Sequence, residues 1–315
     1  MYKVDKISKD NIQLQYPSLY NEYTKGGYHL LRDDQQLGRV VCYINKYIGT
    51  DTLLLGGYAM VDNAVASSYF FDHITMEAKK EGYKKIIGPM NGSTWESYRF
   101  AHTSPDKSFL LEPQQETDYI SLWETAGFET YASYYSSYSI HEQNQDWINE
   151  EKKLDAHFAT KNLHVEKWKD NLSKEEWNQL AEFNNQAFRK NILFSPISNE
   201  LFKKKYSQIS QAVDTQFIYL VKEESNLVGL LFAYPNLKDT TEKSLILKTM
   251  ARLPDSHLKG LGTWMALKFY NEASRCGYRK IIHALMQTDN ASTIRSNEFG
   301  GEIFRHYSLY QKELI

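Results

Sequence analysis

The chain has 315 residues, a formal net charge of −2 and 24% charged side chains. That length suggests two domains, and the balanced charge lacks the basic surplus of a protein that grips a nucleic-acid backbone. Cys42 and Cys276 stand too far apart for a metal or disulfide framework, and no apolar run reaches membrane-spanning length. The expectation is a soluble cytoplasmic protein, monomeric or homodimeric, with no metal, no membrane and no nucleic-acid partner.

In chain order, strands are predicted over 28–33 and 36–45, joined by a polar turn, with Val40, Val41, Tyr43 and Ile44 facing inward. A third strand spans 52–61. A helix over 65–80 sets Tyr69, His73, Met76 and Lys80 on one line. A strand over 84–90, a helix end over 122–128 and Tyr-rich strands over 131–139 follow. The charged stretch 143–161 reads as a linker carrying a helix over 147–158. Beyond it come a strand (163–168), then Ser173-Lys-Glu-Glu176, a capping box opening a helix to Phe188. A helix over 201–209 and a hairpin (217–222, 227–234, turned at 224–226) precede a strand over 244–251. After a glycine-bearing turn, a long helix carries Gly262, Met265, Ala266, Phe269, Ala273 and Cys276 on one face. That stripe is core packing, so Cys276 is read as a buried apolar residue and not as a nucleophile. A strand over 280–287, a short helix after Asn290 and terminal strands bearing Tyr307 and Tyr310 complete the chain.

An internal repeat organises these elements. The segment from Glu77 to Ile87 matches that from Glu272 to Ile282 at seven of eleven positions, and the flanking elements agree. In both, a helix ends at a glycine suited to its C-terminal cap and a strand begins at once. The division expected is 1–142, a linker 143–161, and 162–315. From the Ile-Ile pair to the next helix-end glycine, the first copy runs from Ile87 to Gly127 and the second from Ile282 to Gly301. The first copy therefore carries an insertion, roughly 91–117. Long irregular insertions at strand ends are often functional.

The copies also differ at the turn before the long helix. The second reads His257-Leu-Lys-Gly260-Leu-Gly262-Thr263; the first, from Met60 to Ser67, has no glycine there. Glycines lacking Cβ let backbone N–H groups turn inward toward a bulky anion, and the new helix adds unpaired N–H groups and the positive end of its dipole. The pattern lacks the third glycine of a dinucleotide fingerprint and the lysine of a P-loop. It resembles the acyl-CoA loop of the GNAT superfamily of N-acyltransferases, Gln/Arg-x-x-Gly-x-Gly/Ala, with His257 in place of the usual first residue. The ordered elements from Leu163 onward resemble that superfamily too.

The resemblance implies an α/β (α+β) fold: two GNAT-like domains, each a mixed, mostly antiparallel sheet flanked by helices. It implies acetyl-CoA or another acyl-CoA as co-substrate, lying where the strands 244–251 and 280–287 splay. Backbone groups of Met250, Ala251 and Arg252 would pair with the pantetheine arm. Amides of Leu258, Lys259, Gly260, Leu261, Gly262 and Thr263 would hold the pyrophosphate, and Asn290 would contact the arm; Asn290 reads equally as a helix N-cap. The superfamily's usual acid, a Tyr four residues before Gly-Phe, is replaced by Asn297 before Gly301-Glu302. His283 and Tyr307 are the candidates for proton transfer, each also a plausible packing residue. The insertion's Asn91, Trp95, Glu96, Tyr98 and Arg99 are candidates for the acceptor site. The function expected is transfer of an acyl group, acetyl in the first instance, from acyl-CoA to an amine of a small molecule or peptide, with the first copy degenerate. Two alternatives are a non-catalytic acyl-CoA sensor and a tRNA-dependent aminoacyl-transferase.

Overall fold

The computed structural model describes residues 1–239, 242–288 and 290–314. The first half runs β1 (Tyr2–Ser8), α1 (Lys9–Gln15), β2 (Thr24–Arg32), β3 (Gln35–Tyr43), β4 (Thr52–Met60), α2 (Ala64–Lys80), β5 (Lys85–Gly88), β6 (Phe100–Ala101), α3 (Tyr119–Thr125) and β7 (Glu129–Ile140). After α4 (Gln145–Ala159) the second half runs β8 (Leu163–Lys167), α5 (Lys174–Phe188), α6 (Asn199–Ala212), β9 (Ile218–Glu223), β10 (Asn226–Pro235), β11 (Ser244–Arg252), α7 (Leu261–Arg275), β12 (Lys280–Gln287), α8 (Ala291–Glu298) and β13 (Glu302–Glu313).

Among the described residues all strands join one 13-stranded sheet, mixed and mostly antiparallel, in the order β1-β2-β3-β4-β5-β13-β7-β12-β11-β10-β9-β8, with β6 paired to β13 off that path. The two parallel contacts are β4 with β5 and β11 with β12. The last strand of each half is exchanged. β13 pairs β5 (Tyr310 opposite Gly88), and β7 pairs β12 (Lys280 opposite Ile140). β7 and β13 run antiparallel at the centre, with Tyr307 opposite Tyr134. Each is one twelve-residue strand, and both bury their fourth and their sixth to ninth residues.

Apolar side chains cover both sheet faces in each half. α2 and α3 close one face of the first half over Phe70, Phe71, Ile74 and Trp123, while α1 closes the other through Ile12. The line through Tyr69, His73, Met76 and Lys80 lies on the outer side of α2, with Tyr69 and Met76 exposed, and the buried stripe of Phe70, Ile74 and Ala78 is offset from it. In the second half α5 and α6 lie on one face and α7 on the other. The stretch expected to be a linker is ordered as α4 and docked on α7. Phe158 stacks on Trp264 at 4.8 Å, Trp264 Nε1 donates to Asp155 (2.7 Å) and Asn271 donates to Glu151 (2.6 Å). Its charges are those contacts, which is why α7 is buried on more than its expected stripe. Cys276 is half-buried, accepting from Gln216 Nε2 at 3.3 Å. β1 and α1 carry little apolar periodicity: as an edge strand, β1 buries only Ile7.

Candidate functional site

The parallel pairing of β11 with β12 runs from Ser244 opposite Lys280 to Leu247 opposite His283 and stops there. Beyond that point Met250, Ala251 and Arg252 pair only on their other edge, with Leu231, Leu230 and Gly229 of β10. Two irregularities coincide with the parting. The β10 register steps from Phe232 opposite Thr249 to Ala233 opposite Leu247, leaving Lys248 as the extra residue of a bulge. On β12 the pairing with β7 skips Ala284 and Leu285, and Leu285 takes φ +59, a region a branched L side chain rarely occupies. The Leu285 N–H donates to Ser136 Oγ (3.0 Å), and its carbonyl accepts from Arg99 Nη1 (3.2 Å).

A cavity of about 1060 Å³ opens from this parting, large enough for a drug-sized ligand and more. One wall is Leu247–Arg252 and another His283–Gln287; α8 closes one end with Asn290 and Arg295. The insertion supplies a third wall through Trp95, Glu96, Tyr98 and Arg99, and the ends of α5 and α6 a fourth. Met250, Ala251, Arg252 and Asn290 are thus brought together. Asn290 begins α8 without a side-chain cap, leaving its amide to the cavity.

The turn at Leu258–Thr263 lies beside the cavity, not in its lining. Gly260 caps α7 at φ +91, which selects glycine, and no side chain caps the helix. Among the described residues none accepts from the amides of Leu261, Gly262 and Thr263. The Leu258 amide is already held by Asp255 O at 3.3 Å, and the side chains of Leu258 and Leu261 are core residues. A Cβ on Gly262 would meet nothing nearer than Arg295 Nη2 at 3.8 Å. Arg295 donates to Thr263 Oγ1 (2.9 Å), joining this helix start to the cavity.

His283 is 4% exposed and fully engaged. Nδ1 meets Ser296 Oγ at 2.7 Å and Ser137 Oγ at 3.3 Å, while Nε2 meets Tyr270 OH and Ser139 Oγ. Burial, with His141 nearby, pushes its pKa down to about 3, so the ring is neutral. Tyr307 is wholly buried, donates to Glu112 Oε1 and contacts Ser136 Oγ at 3.0 Å. It does not line the cavity. Glu112 also accepts from Arg305 (2.8 Å); burial raises its pKa despite that pair.

Of the insertion's candidates, Asn91 lies outside the cavity lining. Its Oδ1 accepts from Gly57 N (2.8 Å), and Met90 N donates to Leu55 O (2.7 Å). These contacts fill the first half's counterpart of the parting, just past Leu54 opposite Ile87. Asn63 caps α2 there, accepting from Ala66 N at 2.9 Å, so that helix start is closed as well. Trp95 and Glu96 reach across to the second half, donating to Ser195 O (2.8 Å) and pairing with Lys205 (2.7 Å).

The helix-end register corrects the slot assigned to Asn297. Gly127 (φ +80) closes α3 while Phe128 N donates to Trp123 O; Gly300 (φ +69) closes α8 while Gly301 N donates to Ser296 O. Gly300 is therefore Gly127's counterpart, and the slot four residues before it holds Ser296. The Gly-Gly dipeptide hides this offset in the sequence. Lys248 and Arg295, which the sequence does not single out, also line the cavity. The bulge that aims Lys248 has no sequence signal, and Arg295 needs the α7–α8 packing to be seen. Burial and Arg99 push the Lys248 pKa down to about 7.

No protein-family model matches the chain, and no curated protein matches it. Solved structures do. A tandem GNAT protein from the clavulanic acid biosynthesis pathway superposes with TM-score 0.53 at 11% identity, over 100% of this chain and 99% of its own. A GCN5-related N-acetyltransferase from Anabaena variabilis gives 0.53 at 9% identity, over 100% and 73%. A conserved protein from Enterococcus faecalis, described as a probable N-acyltransferase, gives 0.56 at 8%, over 100% and 73%. At such identities the likeness is one of fold: the α/β architecture of these proteins, a mixed sheet flanked by helices, repeated across the chain. Among the described residues no helix is long and apolar enough to cross a membrane, and no cluster of three metal-ligating side chains occurs.

Proposed function

We propose that the chain is an acyl-CoA-dependent N-acyltransferase acting on an amine acceptor, with its site in the second half. The observation that carries this reading is the parting of β11 from β12 after Leu247 and His283, beside an uncapped helix start. The free edge of Met250–Arg252 offers backbone groups to an extended pantetheine arm, as an added strand would. The amides of Leu261, Gly262 and Thr263, flanked by Arg252 and Arg295, suit a pyrophosphate. The acceptor enters along the wall formed by Trp95, Glu96, Tyr98 and Arg99.

Attack on the thioester needs a neutral amine, and Lys248 is the group suited to take its proton. It sits at the parting, and its lowered pKa makes it a base near neutral pH. The nitrogen then attacks the thioester carbon, the C–S bond breaks to release the CoA thiolate, and the second proton, which the nitrogen sheds on becoming an amide, passes to that thiolate or to water, so no strong acid is needed. His283 holds α7 and α8 against β12, and Tyr307 anchors Ser136 and hence the Leu285 bulge. The acceptor-free alternative, an acyl-CoA sensor, draws on Ser296, whose hydroxyl stands in the acid slot but is committed to His283 and Ser137.

Calorimetric titration with acetyl-CoA tests the reading. One site is expected, and Gly262→Asp, which sets a carboxylate at the open amides, should remove it while leaving the melting temperature within a few degrees. Absence of binding at high ligand excess sinks both readings. Binding without thiol release across a broad amine panel leaves only the sensor.

A further inference from the structure

Arg99 is 8% exposed, a depth at which an arginine is ordinarily paired. Its backbone is held at φ +67, with its N–H donating to Pro89 O (2.9 Å). The guanidinium is clamped between the rings of Tyr98 and Tyr134, 4.1 and 4.2 Å from their centroids. Nη1 donates to Leu285 O, but Nε is buried with no partner. Among the described residues no carboxylate lies within ion-pair distance of Arg99 or of Lys248, and the charge that most affects Lys248 is Arg99 itself. The cavity's carboxylates are already committed: Glu96 to Lys205, and Glu112 to Arg305 and Tyr307.

A guanidinium and an amine therefore share the cavity at the parting, with no carboxylate among the described residues to pair with either. A buried, rigid and unpaired guanidinium is costly unless a ligand completes it. The tyrosine clamp offsets part of that cost and fixes the fork, but leaves Nε without an acceptor. Of the other cations, Arg295 is tied to the α7 start through Thr263 Oγ1, and that start, where the proposed pyrophosphate rests, lies outside the cavity lining that holds Arg99 and Lys248.

Resting on the acyltransferase reading, we infer that Arg99 is a carboxylate-recognition site, so that the substrate pair carries a free carboxylate at the parting of β11 and β12. That group has two possible sources. It belongs to the acceptor, an amino acid or a peptide with its own acid near the reacting amine, or to the far end of a dicarboxylic acyl chain. A carboxylate docked on Arg99 also offsets the charge that depresses Lys248, so the lysine gains proton affinity when the substrate is in place.

Calorimetry separates the sources with paired probes differing only in charge. On the acyl side the pair is succinyl-CoA and butyryl-CoA. On the acceptor side, with CoA saturating, it is a panel of free amino acids and the corresponding amides. At least a tenfold tighter Kd for the carboxylate member is expected in one pair, falling to below threefold in Arg99→Gln. Should Arg99→Gln unfold, Tyr98→Leu, which removes one face of the clamp, is expected to shrink the preference several-fold. Equal affinities within both pairs, or a preference unchanged in the variant that folds, overturns the carboxylate assignment. CoA itself failing to bind instead overturns the acyltransferase reading, and with it this inference.

Discussion

At the scale of single residues, Lys248 and His283 are two basic groups on neighbouring strands with opposite prospects. Lys248 is half-buried, makes no ion pair among the described residues and has its pKa pushed down to about 7. Its neutral form does the work proposed, so kcat/KM should rise with pH through about 7 and level off above it; Lys248→Met should abolish that limb. The same shift acts on stability. Because the folded pKa lies below the unfolded one, the penalty is full at pH below about 7 and vanishes toward the unfolded pKa near 10.4. Lys248→Met should thus stabilise the fold by about 1–2 kcal/mol at pH 6, after allowance for water in the cavity, and by little at pH 10. Arg99→Gln removes a repelling charge and should move the activity midpoint upward. His283 behaves differently, since both nitrogens are occupied and its pKa is pushed down to about 3. Its contribution is full above pH 6.5 and is lost as pH falls toward 3. His283→Ala should lower stability by about 2–4 kcal/mol from lost contacts and hydrogen bonds, while the pH midpoint of the remaining activity stays put. A displaced midpoint would make His283 the base.

At the scale of elements, the turn between β11 and α7 contains two glycines with different jobs. Gly260 is required by its φ of +91, and Gly260→Ala should cost about 1–2 kcal/mol of stability through backbone strain. Gly262 has an ordinary φ and room for a Cβ. Gly262→Ala should therefore leave the melting temperature unchanged and weaken acetyl-CoA binding only modestly, whereas Gly262→Asp should weaken it at least a hundredfold. The sequence shows this turn plainly because glycine spacing and helix start are local signals. It shows α7, α5 and the hairpin of β9 and β10 for the same reason: their periodicity lies within one element. Lys248 and Leu285 were invisible because a bulge is a relation between two strands, and no single-strand pattern records it. The role of Ser296 was displaced by one residue because two adjacent glycines compete for the same cap, and only the hydrogen bond from Gly301 N to Ser296 O decides between them. Length and position at a strand end mark the insertion as unusual; that it walls this cavity, and that Asn91 instead seals the first half's own gap, are relations between distant segments that only the fold reveals.

At the scale of the molecule, the repeat accounts for two similar sets of elements but not for how they share the sheet. β13 lies between β5 and β7, and β7 between β13 and β12, so each half is completed by a strand from the other. Strand exchange of this kind turns two would-be edges into paired interior strands. Tyr307, Leu309 and Tyr310 are fully buried in the exchange, and the network from Glu112 through Tyr307 to Ser136 and Leu285 crosses it. The site in the second half therefore depends on an insertion and a strand from the first. Residues 141–144, between β7 and α4, lie outside any helix or strand, so a protease site placed after Glu142 should be cut without disturbing either half. If the strands are exchanged as described, the two fragments should co-elute at the size of the intact chain and melt in one transition, coming apart only in denaturant. Their acetyl-CoA binding should match that of the uncut protein, because every wall of the cavity survives the cut. Fragments that separate in native buffer, or two transitions at different temperatures, would mean that each half folds around its own last strand, and the shared cavity would have no support.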